Sequence, residues 1–428
     1  MPTTGRKCFV GVDLGTSGVR ACAVDEVGNL LAESRSDLPA PLSPAPGHVQ
    51  QDPDLWWKAC LKTLDTLLLS NQLLPQAISI DGTSGTLLLC DRGGKPLGPA
   101  LMYNDARSTE QALRLGQIAP ADTAVHSASS ALAKLCYLLE TLHPTATHAL
   151  HQADWIVGML SGNFGLSDEN NALKLGFDPV QRRWPTWISG CPIDASLLPK
   201  VLPVGKTVGE VRGQLCKRWQ LRKPPRIVSG TTDSNAATLA CGIRETGQAA
   251  TALGSTLVLK VLSDTPVYDA RHGIYSHRIG NRWLVGGASN SGGSVLLQFF
   301  NKHQLIELSS QIDPKKPTGL DYYPLPSAGE RFPLNDSAIK PKLTPRPQDD
   351  VIFLQGLLEG IAAIEELGYR KLQELGAPYP REVVSSGGGA RNNVWRLIRQ
   401  QRLGVPVRTA EHTEACYGSA LIAAGLAI

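Results

Sequence analysis

The stretch that decides the fold is residues 9–24, which read FVGVDLGTSGVRACAV. Its apolar flanks predict two strands joined by a tight turn at Gly15–Gly18. An acidic residue, Asp13, stands near the end of the first strand. Because glycine has no Cβ atom, the backbone amides and the hydroxyls of Thr16 and Ser17 can approach an anion closely. The turn is therefore either a phosphate-binding loop or a structural hairpin whose amides satisfy Asp13, and this turn alone leaves both open.

The same pattern returns about 240 residues later, where residues 248–262 read QAATALGSTLVLKVL. An apolar strand, a turn formed by Gly254, Ser255 and Thr256, and a second apolar strand follow one another again. This echo predicts two similar halves, each beginning with a glycine-turned hairpin, although an echo of this length can also arise by chance. Two such turns facing each other would hold the phosphates of a nucleotide from both sides.

Two further acidic residues follow apolar strands. Residues 227–237, IVSGTTDSNAA, place Asp233 at the start of a small-residue helix, and residues 77–81, AISID, end in Asp81. An acid at a helix start is either a cap or a general base that takes a proton from a hydroxyl as it attacks phosphorus. Asp13 is also suited to order hydrated Mg²⁺, which usually takes one or two carboxylates.

A glycine triplet marks the last of these stretches, residues 385–407, which read SSGGGARNNVWRLIRQQRLGVPV. A strand, glycines and a helix in this order let a flat ring or a phosphate approach the backbone, but they also occur as a plain connection. The segment 286–296, GGASNSGGSVL, is similar and equally weak alone. Neither a P-loop nor a dinucleotide-binding glycine motif is present.

Composition narrows the class of protein. A chain of 428 residues is long enough for two or three domains. A net charge of +4 without a concentrated basic stripe argues against nucleic-acid binding, and no apolar run is long enough to span a membrane. Nine scattered cysteines without a C-x-x-C pair indicate reduced thiols rather than disulfides or a zinc site. With no signal-peptide pattern at residue 1, we expect a cytoplasmic protein.

Helix signals frame these motifs. Asp52 and Pro53 predict the start of a helix, and residues 351–375 form a long amphipathic pattern that ends before Gly376. Residues 110–220 read mostly as helix with loops. The motifs therefore fall on an α/β chain.

Seven segments occur in the order expected of the FGGY carbohydrate kinases, which the chain resembles over nearly its whole length. The resemblance implies an α/β fold with two duplicated actin/hexokinase-like (ribonuclease H-like) domains around a deep nucleotide cleft. It places a sugar-side N-terminal domain at residues 1–240 and an ATP-side C-terminal domain at 241–413, with residues 414–428 packing back onto the first. The segments are GVDLGTSGVRACAVDEVGNLLAE (11–33), QDPDLWWKA (51–59), YNDARS (103–108), DWIVGMLSG (154–162), GTTDSNAA (230–237), ALGSTLVL (252–259) and SGGGARNNVWRLIRQQRLGVPV (386–407).

The resemblance also implies roles for single residues. Asp233 matches the catalytic base of the family, and Asp13 matches a carboxylate that serves both Mg²⁺ and the sugar. ATP and Mg²⁺ are the implied cofactors. The implied nucleotide-binding residues are Gly15, Thr16 and Ser17 in the first hairpin, Gly254, Ser255 and Thr256 in the second, and Gly388, Gly389, Asn392 and Trp395 at the adenosine.

The chain departs from the xylulose and glycerol kinases near the implied sugar site. Residues 80–91, IDGTSGTLLLCD, lack the Gln or His of those relatives, and the second domain is trimmed. Both traits resemble the compact pentulose kinases of cyanobacteria and plants, which act on D-ribulose. In that reading the sugar contacts, besides Asp13 and Asp233, are Ser17, Gly18, Ser84 and His151. His151 is equally well explained as a helix-end residue, and Asn104, Asp105 and Arg107 either face substrate or form a structural ion pair.

The expected reaction is phosphoryl transfer from MgATP to the terminal hydroxyl of a ketopentose, with D-ribulose as the first expectation and D-xylulose as the alternative. A rival from another class is an ATP-driven switch or binding protein of the same superfold. The expected partners are a small sugar and ATP, without nucleic acid or membrane, in a monomer or homodimer.

Overall fold

The structure, a computed structural model, describes residues 5–141 and 146–427. The chain divides into two compact units. The first unit comprises Met1–Ala240, His277–Gly280 and Glu414–Ile428, and the second comprises Cys241–Ser276 and Asn281–Thr413.

Strands of the two units are numbered in chain order. They are β1 (Arg6–Leu14), β2 (Gly18–Val24), β3 (Leu30–Asp37), β4 (Gln50–Gln51), β5 (Leu73–Gly82), β6 (Leu87–Cys90), β7 (Ala100–Leu101), β8 (His148–His151), β9 (Leu166–Asp168), β10 (Lys200–Leu202), β11 (Thr207–Glu210), β12 (Arg226–Val228), β13 (Gln248–Leu253), β14 (Leu257–Ser263), β15 (Tyr275–Ile279), β16 (Arg282–Ser289), β17 (Glu382–Ser386) and β18 (Val407–Thr409).

Helices are numbered in the same way. They are α1 (Pro53–Ser70), α2 (Thr109–Leu115), α3 (Ala131–Thr141), α4 (Gln152–Ser161), α5 (Gly213–Arg218), α6 (Asp233–Ala240), α7 (Gly293–Leu296), α8 (Lys302–Ser309), α9 (Asp350–Glu374), α10 (Asn393–Leu403) and α11 (Ala415–Ala424). Short 3-10 turns lie at Ala172–Leu175, Thr186–Gly190, Ala195–Leu197, Ala270–His272 and Gly388–Arg391.

The first unit is built on a sheet in the order β11-β12-β5-β1-β2-β3. Strands β1, β2 and β3 form an antiparallel meander, whereas β5 is parallel to β1 and β12 is parallel to β5. The apolar sides of β1 and β2 pack with α1 in a buried core that also contains Trp56 and Trp155. A smaller four-stranded sheet, β4-β7-β6-β8, lies in the same unit.

The second unit repeats this plan. Its strands β16, β14 and β13 are antiparallel neighbours, and β17 and β18 follow as parallel strands on the other side of β13. The long helix α9 packs against β14 and β16, as α1 packs against β2 and β3. The predicted duplication of a glycine-turned hairpin is therefore confirmed at the level of strand order and direction.

Helix α11 joins the first unit although it follows the second in the chain, and two glycines allow it to pack closely. A Cβ atom at Gly11 of β1 would lie 1.9 Å from the carbonyl oxygen of Cys416. A Cβ atom at Gly418 would lie 1.9 Å from the carbonyl oxygen of Ala236 in α6. A larger side chain would push α11 away from β1 at Gly11 and away from α6 at Gly418.

The helix signals of the sequence are mostly confirmed. Helix α1 begins after Asp52, whose side chain accepts the backbone N–H of Asp54, and α9 ends at Glu374. The prediction that residues 110–220 are mostly helix was wrong. Short strands, 3-10 turns and loops separate the helices there, because single glycines and prolines divide the segment into short elements.

No disulfide bond links any of the nine cysteines, all of which are buried and lie within the described residues. Among the helices of residues 5–141 and 146–427, none is long and apolar enough to cross a membrane.

Candidate active site

Asp13 stands in the first hairpin, at the edge where β1 ends. Its side chain is 5% exposed and faces Arg20, its register partner on β2, with 3.5 Å between Arg20 Nη1 and Asp13 Oδ2. Burial raises the pKa of Asp13 to about 6, and the charge of Asp233 acts in the same direction. A carboxyl with this pKa is mostly charged at neutral pH, as a Mg²⁺ ligand must be.

Asp81 is a site residue to which the sequence analysis assigned no role. It is the parallel register partner of Asp13 on β5 and is completely buried. The Ser419 hydroxyl, on α11, donates a hydrogen bond to Asp81 Oδ2. Burial, reinforced by the charge of Asp13, holds the pKa of Asp81 well above its usual range. A hydrogen bond between the two carboxyls raises the pKa of Asp81 and lowers the pKa of Asp13, which is the direction expected when Asp81 is the donor.

Asp233 is the first residue of α6, which follows β12, the next strand of the same sheet. One carboxylate oxygen accepts the backbone N–H of Ser234 at 2.7 Å. The preceding segment lies directly against β5, since a Cβ atom at Gly230 would be 1.8 Å from the carbonyl oxygen of Ile80. Three neighbouring strands, β1, β5 and β12, thus bring Asp13, Asp81 and Asp233 to one edge of the sheet.

Ser84 lies in a loop, Thr83–Thr86, that is fixed on several sides. The backbone N–H and hydroxyl of Thr83 both donate to Gln152 Oε1, at 3.0 and 2.8 Å. The hydroxyls of Thr83 and Thr86 lie 2.6 Å apart, and the buried Lys134 ammonium donates to the carbonyl of Gly85. Ser84 itself is partly exposed, so it remains accessible for a ligand.

His151 lies in the interior of the first unit, at the end of β8. Its side chain is completely buried, and its Nδ1 lies 2.9 Å from Asp154 Oδ2 at the start of α4. The sequence could not distinguish a buried helix-end histidine from a ligand, and the structure gives His151 the former position. Because its Nε2 is buried without a hydrogen-bond partner among the described residues, its contact with the sugar stays a prediction.

Asp105 and Arg107 form the ion pair that was one of the two alternatives, with 2.8 Å between Arg107 Nη2 and Asp105 Oδ2. Asp105 Oδ2 also accepts the backbone N–H of Val49, and Arg107 donates to the side chain of Gln50. With both side chains buried in this network, the pair is structural.

The turn of the first hairpin is open to solvent where phosphate contact is predicted. Ser17 is exposed, and Gly15, Thr16 and Gly18 are partly exposed. The turn is closed by a 3.0 Å bond from the Gly15 N–H to the Gly18 carbonyl, and the Ser17 carbonyl accepts from Leu38 on the neighbouring chain segment. The sequence therefore correctly predicted a tight, accessible turn.

The second hairpin, in the other unit, has the same exposure. Gly254 and Ser255 are exposed and Thr256 is partly exposed. Its turn is supported from one side by the start of α7, because Gly293 donates to the Gly254 carbonyl and Ser294 donates to the Ser255 carbonyl. The segment 286–296, which was ambiguous in the sequence, thus serves to hold this turn.

The glycine triplet follows β17 and requires glycine at its first position. Gly387 has a φ of 82°, and a Cβ atom there would lie 2.7 Å from the Leu253 carbonyl oxygen at the end of β13. Gly388 is exposed and Gly389 is partly exposed, so both remain accessible to a ligand.

Asn392 and Trp395 support this segment from behind. The Asn392 side chain caps α10 by accepting the backbone N–H of Trp395. The Trp395 indole is 2% exposed, donates to the Leu358 carbonyl and packs against Gly389. The predicted contact of the Trp395 ring with adenosine is therefore corrected to a supporting role, because a buried ring offers no face to a base.

A buried network ties β13 and β17 together beneath these loops. Arg399 and Glu365 form a two-pronged ion pair, with nitrogen–oxygen distances of 2.5 and 2.7 Å. Arg399 also donates to Ser385 on β17, and Thr251 on β13 donates to Glu365. This network fixes the strands from which the second hairpin and the glycine triplet emerge.

In residues 5–141 and 146–427, no three or more His, Cys, Asp or Glu side chains form a cluster able to hold a metal ion by themselves. Mg²⁺ usually binds through one or two carboxylates together with nucleotide phosphates and waters. Asp13 is the candidate ligand. Asp81 is less suited, because its pKa is raised well above the usual range and it is hydrogen-bonded to Ser419 and Asp13.

Two family models match most of the chain. The N-terminal domain of the FGGY family of carbohydrate kinases matches residues 8–240, and the C-terminal domain matches residues 249–427. The chain belongs to the FGGY family of carbohydrate kinases. It is therefore a sugar kinase, a phosphotransferase that uses ATP, with the two-domain actin/hexokinase-like fold of that family.

Individual FGGY relatives agree with this assignment. A xylulose kinase from Staphylococcus epidermidis is 23% identical over 438 residues, covering 98% of this chain and 88% of the relative. A solved structure described as a xyloylose kinase from Brucella ovis has a TM-score of 0.87 at 23% identity, covering 98% of this chain and 90% of that one. A Plasmodium falciparum glycerol kinase with ADP has a TM-score of 0.86 at 17% identity, covering 98% and 89%. The narrower resemblance to D-ribulose kinases stays a prediction.

Proposed function

We propose that this FGGY kinase transfers the γ-phosphoryl group of ATP to the terminal hydroxyl of D-ribulose and so forms D-ribulose 5-phosphate. The observation that carries the proposal is the pair Asp13 and Asp233. They lie on neighbouring parts of one sheet edge, close enough for the charge of Asp233 to raise the pKa of Asp13.

Asp233 is proposed as the general base. The bond between the sugar oxygen and the γ-phosphorus forms, the bond from that phosphorus to the β–γ bridging oxygen breaks, and the hydroxyl proton passes to Asp233. The bond from the Ser234 N–H fixes one carboxylate oxygen, so the side chain is oriented before the sugar arrives. Positioning and electrostatics supply most of the rate enhancement in this chemistry.

Asp13 is proposed to hold Mg²⁺ and to contact the sugar. When bound, Mg²⁺ neutralises charge on the nucleotide phosphates. The contribution of the protein is a carboxylate held in place by Arg20 and by the hydrogen bond from Asp81. These two contacts keep the Asp13 side chain from rotating away from the site.

Nucleotide binding is assigned to the exposed loops of each unit. We propose that the turns Gly15–Ser17 and Gly254–Thr256 bind phosphates through backbone amides and hydroxyls. Gly388, Gly389 and the side chain of Asn392 are proposed to lie beside the adenosine. Trp395 keeps the role of supporting Gly389.

The choice of sugar rests on the loop Thr83–Thr86. It lacks the Gln or His expected in xylulose kinases, and it presents a partly exposed Ser84, which together with Ser17 and Gly18 is proposed to contact D-ribulose. D-xylulose is the second candidate, favoured by the naming of the Staphylococcus epidermidis relative as a xylulose kinase. An ATP switch without a sugar substrate has no observation in its favour.

The test is a coupled assay of ADP release at fixed MgATP with D-ribulose, D-xylulose, D-fructose and glycerol, and a reaction without sugar as the control. We expect the highest kcat/KM with D-ribulose. A higher kcat/KM with D-xylulose would replace the first candidate by the second. ADP release that no sugar accelerates would overturn the sugar site.

A cytoplasmic location and a monomeric or homodimeric state complete the proposal. Nine buried cysteines without a disulfide are consistent with a reducing compartment.

A further inference from the structure

Two lysines that no sequence motif marked meet at the loop bearing Ser84. The ammonium group of Lys134 donates to the carbonyls of Gly85 and Met102, at 2.8 and 2.6 Å. The ammonium group of Lys174 donates to the carbonyl of Ser84 at 3.3 Å. Two lysines that donate to backbone carbonyls of one uncharged loop are unusual in a protein interior, where a buried lysine generally has an acidic partner.

Lys134 is explained by structure alone. Its side chain is completely buried, and its ammonium group joins two chain segments by donating to the backbone carbonyls of Gly85 and Met102. Burial, together with the nearby charge of Lys174, lowers its pKa to about 7. The position of Lys134 therefore serves to anchor the loop and leaves no surface for a ligand.

Lys174 differs because the residue as a whole is partly exposed, although its ammonium group is buried. It lies over Gly85, where a Cβ atom would come within 3.1 Å of the Lys174 side chain. An ammonium group has three donors, and the bond to the Ser84 carbonyl uses one of them at a long distance. Lys174 is thus a partly exposed residue whose ammonium group has N–H donors beyond the one bonded to Ser84.

The turn that carries Lys174, Ala172–Leu175, is tied to the segment that carries Asp233. Asp168 accepts the backbone N–H groups of Asn170 and Asn171, at 2.8 and 2.9 Å. The Asn170 side chain donates to the hydroxyl of Thr231, two residues before Asp233, at 2.9 Å. The position of the lysine relative to the proposed base is therefore fixed by hydrogen bonds.

Charge supports the same arrangement. Burial lowers the pKa of Lys174, and the charge of Asp233 opposes this shift. Asp233 is thus near enough for its carboxylate to favour the ammonium form. Asp233 is the charged group that acts on Lys174, and Lys174, Asp105 and Arg107 act on the neighbouring Lys134.

We propose that Lys174 is a substrate-binding residue whose ammonium group donates a hydrogen bond to an oxygen of the acceptor sugar, held between Ser84 and Asp233. This inference rests on the proposed sugar kinase function and adds a residue to its site. Because an ammonium group is a donor only, it selects a substrate that presents an accepting oxygen at that point. The sugar KM, rather than the KM for ATP, depends on it.

The test compares Lys174→Met with three other variants in the assay with the preferred sugar. We expect Lys174→Met to raise the sugar KM about 10- to 100-fold, the effect of losing a hydrogen bond to a charged group, with the KM for MgATP within twofold of the parent. Lys174→Arg keeps the charge and should recover part of the affinity. Binding of the sugar without nucleotide, followed by calorimetry, should weaken by the same factor.

Two control variants separate binding from structure. Lys58→Met, on an exposed position of α1, should change neither KM. Lys134→Met removes the anchor of two buried carbonyls, so it should lower the melting temperature, whereas Lys174→Met should keep the melting temperature of the parent. A folded Lys174→Met with a sugar KM within twofold of the parent would overturn the assignment of Lys174 alone. A parent protein that phosphorylates no sugar would overturn both this inference and the proposed function.

Discussion

The two glycine-turned hairpins share strand order and direction but differ in chemistry. In the first, Asp13 faces Asp81 across the parallel pair β1–β5. In the second, the equivalent register pair across β13–β17 is Ala252 and Ser386. The duplicated scaffold therefore carries a carboxyl pair in only one of its copies.

The difference shows which side chains support each hairpin. The first hairpin has a pair of carboxyls at the edge of the sheet, next to the exposed turn. The second has instead the buried ion pair Glu365 and Arg399, which braces β13 and β17. The proposed acid–base chemistry therefore belongs to the first hairpin, whereas the proposed role of the second turn is phosphate contact alone.

The largest effect is expected for Asp233→Ala. Loss of a general base should lower kcat about 10²- to 10⁴-fold, with ADP binding by calorimetry unchanged. The matched control is Asp349→Ala, which removes the acid that caps α9 in the second unit. That variant should keep its turnover and lose about 1 kcal/mol of stability. Near-normal turnover in Asp233→Ala would show that Asp233 is only a cap, as Asp349 is.

Glu365→Ala tests the brace of the second unit. It leaves Arg399 buried without its carboxylate, so the free energy of unfolding should fall by about 3–5 kcal/mol in urea titration. Asp81→Asn, which changes a buried acid of the first unit that is already protonated, should cost much less. Equal losses in the two variants would contradict the distinction between a charged brace and a neutral carboxyl pair.

The turns themselves are tested by Gly15→Ala and Gly254→Ala. A Cβ atom meets nothing closer than 3.4 Å at Gly15 and 3.6 Å at Gly254, so folding should tolerate both changes. Backbone contact with phosphate should suffer, and the KM for ATP should rise about tenfold in each, by the loss of one charge-assisted hydrogen bond. Gly213→Ala, at an exposed glycine with open space around it, is the control. An unchanged KM in either turn variant would remove that turn from the nucleotide site.

The smallest effect concerns pH. If the charged form of Asp13 is needed, kcat/KM should fall as the pH drops through the Asp13 pKa of about 6. The hydrogen bond from Asp81 lowers that pKa, so Asp81→Ala should move the acidic limb of the profile to higher pH by a fraction of a unit. Asp81→Asn, which keeps a donor, should leave the limb in place. A limb that moves to lower pH in Asp81→Ala would contradict the direction of the bond.

The sequence predicts those parts of the candidate site that a short stretch of residues defines. Asp13 and Asp233 each follow an apolar strand next to a glycine, and both hairpins have the spacing of a tight turn. The register that joins Asp13 to Asp81 depends on how β1 and β5 pair across about 60 residues, which no local pattern records. Lys174 stands in an ordinary-looking turn, and its position depends on bonds from Asn170 to a distant strand end.

The same limit applies to two single side chains. His151 and Trp395 are side chains that bind ligands in many proteins, and only tertiary packing shows that both are buried here. Their burial depends on neighbours far away in the chain, such as Leu358 for Trp395. A sequence fixes the type of a residue, whereas its accessibility is a property of the fold.

The close packing of α11 on β1 has a consequence for how the protein matures. Ser419, which bonds Asp81, follows the whole second unit in chain order. A ribosome therefore releases the hairpin of Asp13 long before it makes the helix that orders its neighbour. Until that helix docks against Gly11, the nascent chain exposes an unfinished sheet face, and sugar phosphorylation has to wait for synthesis of both units.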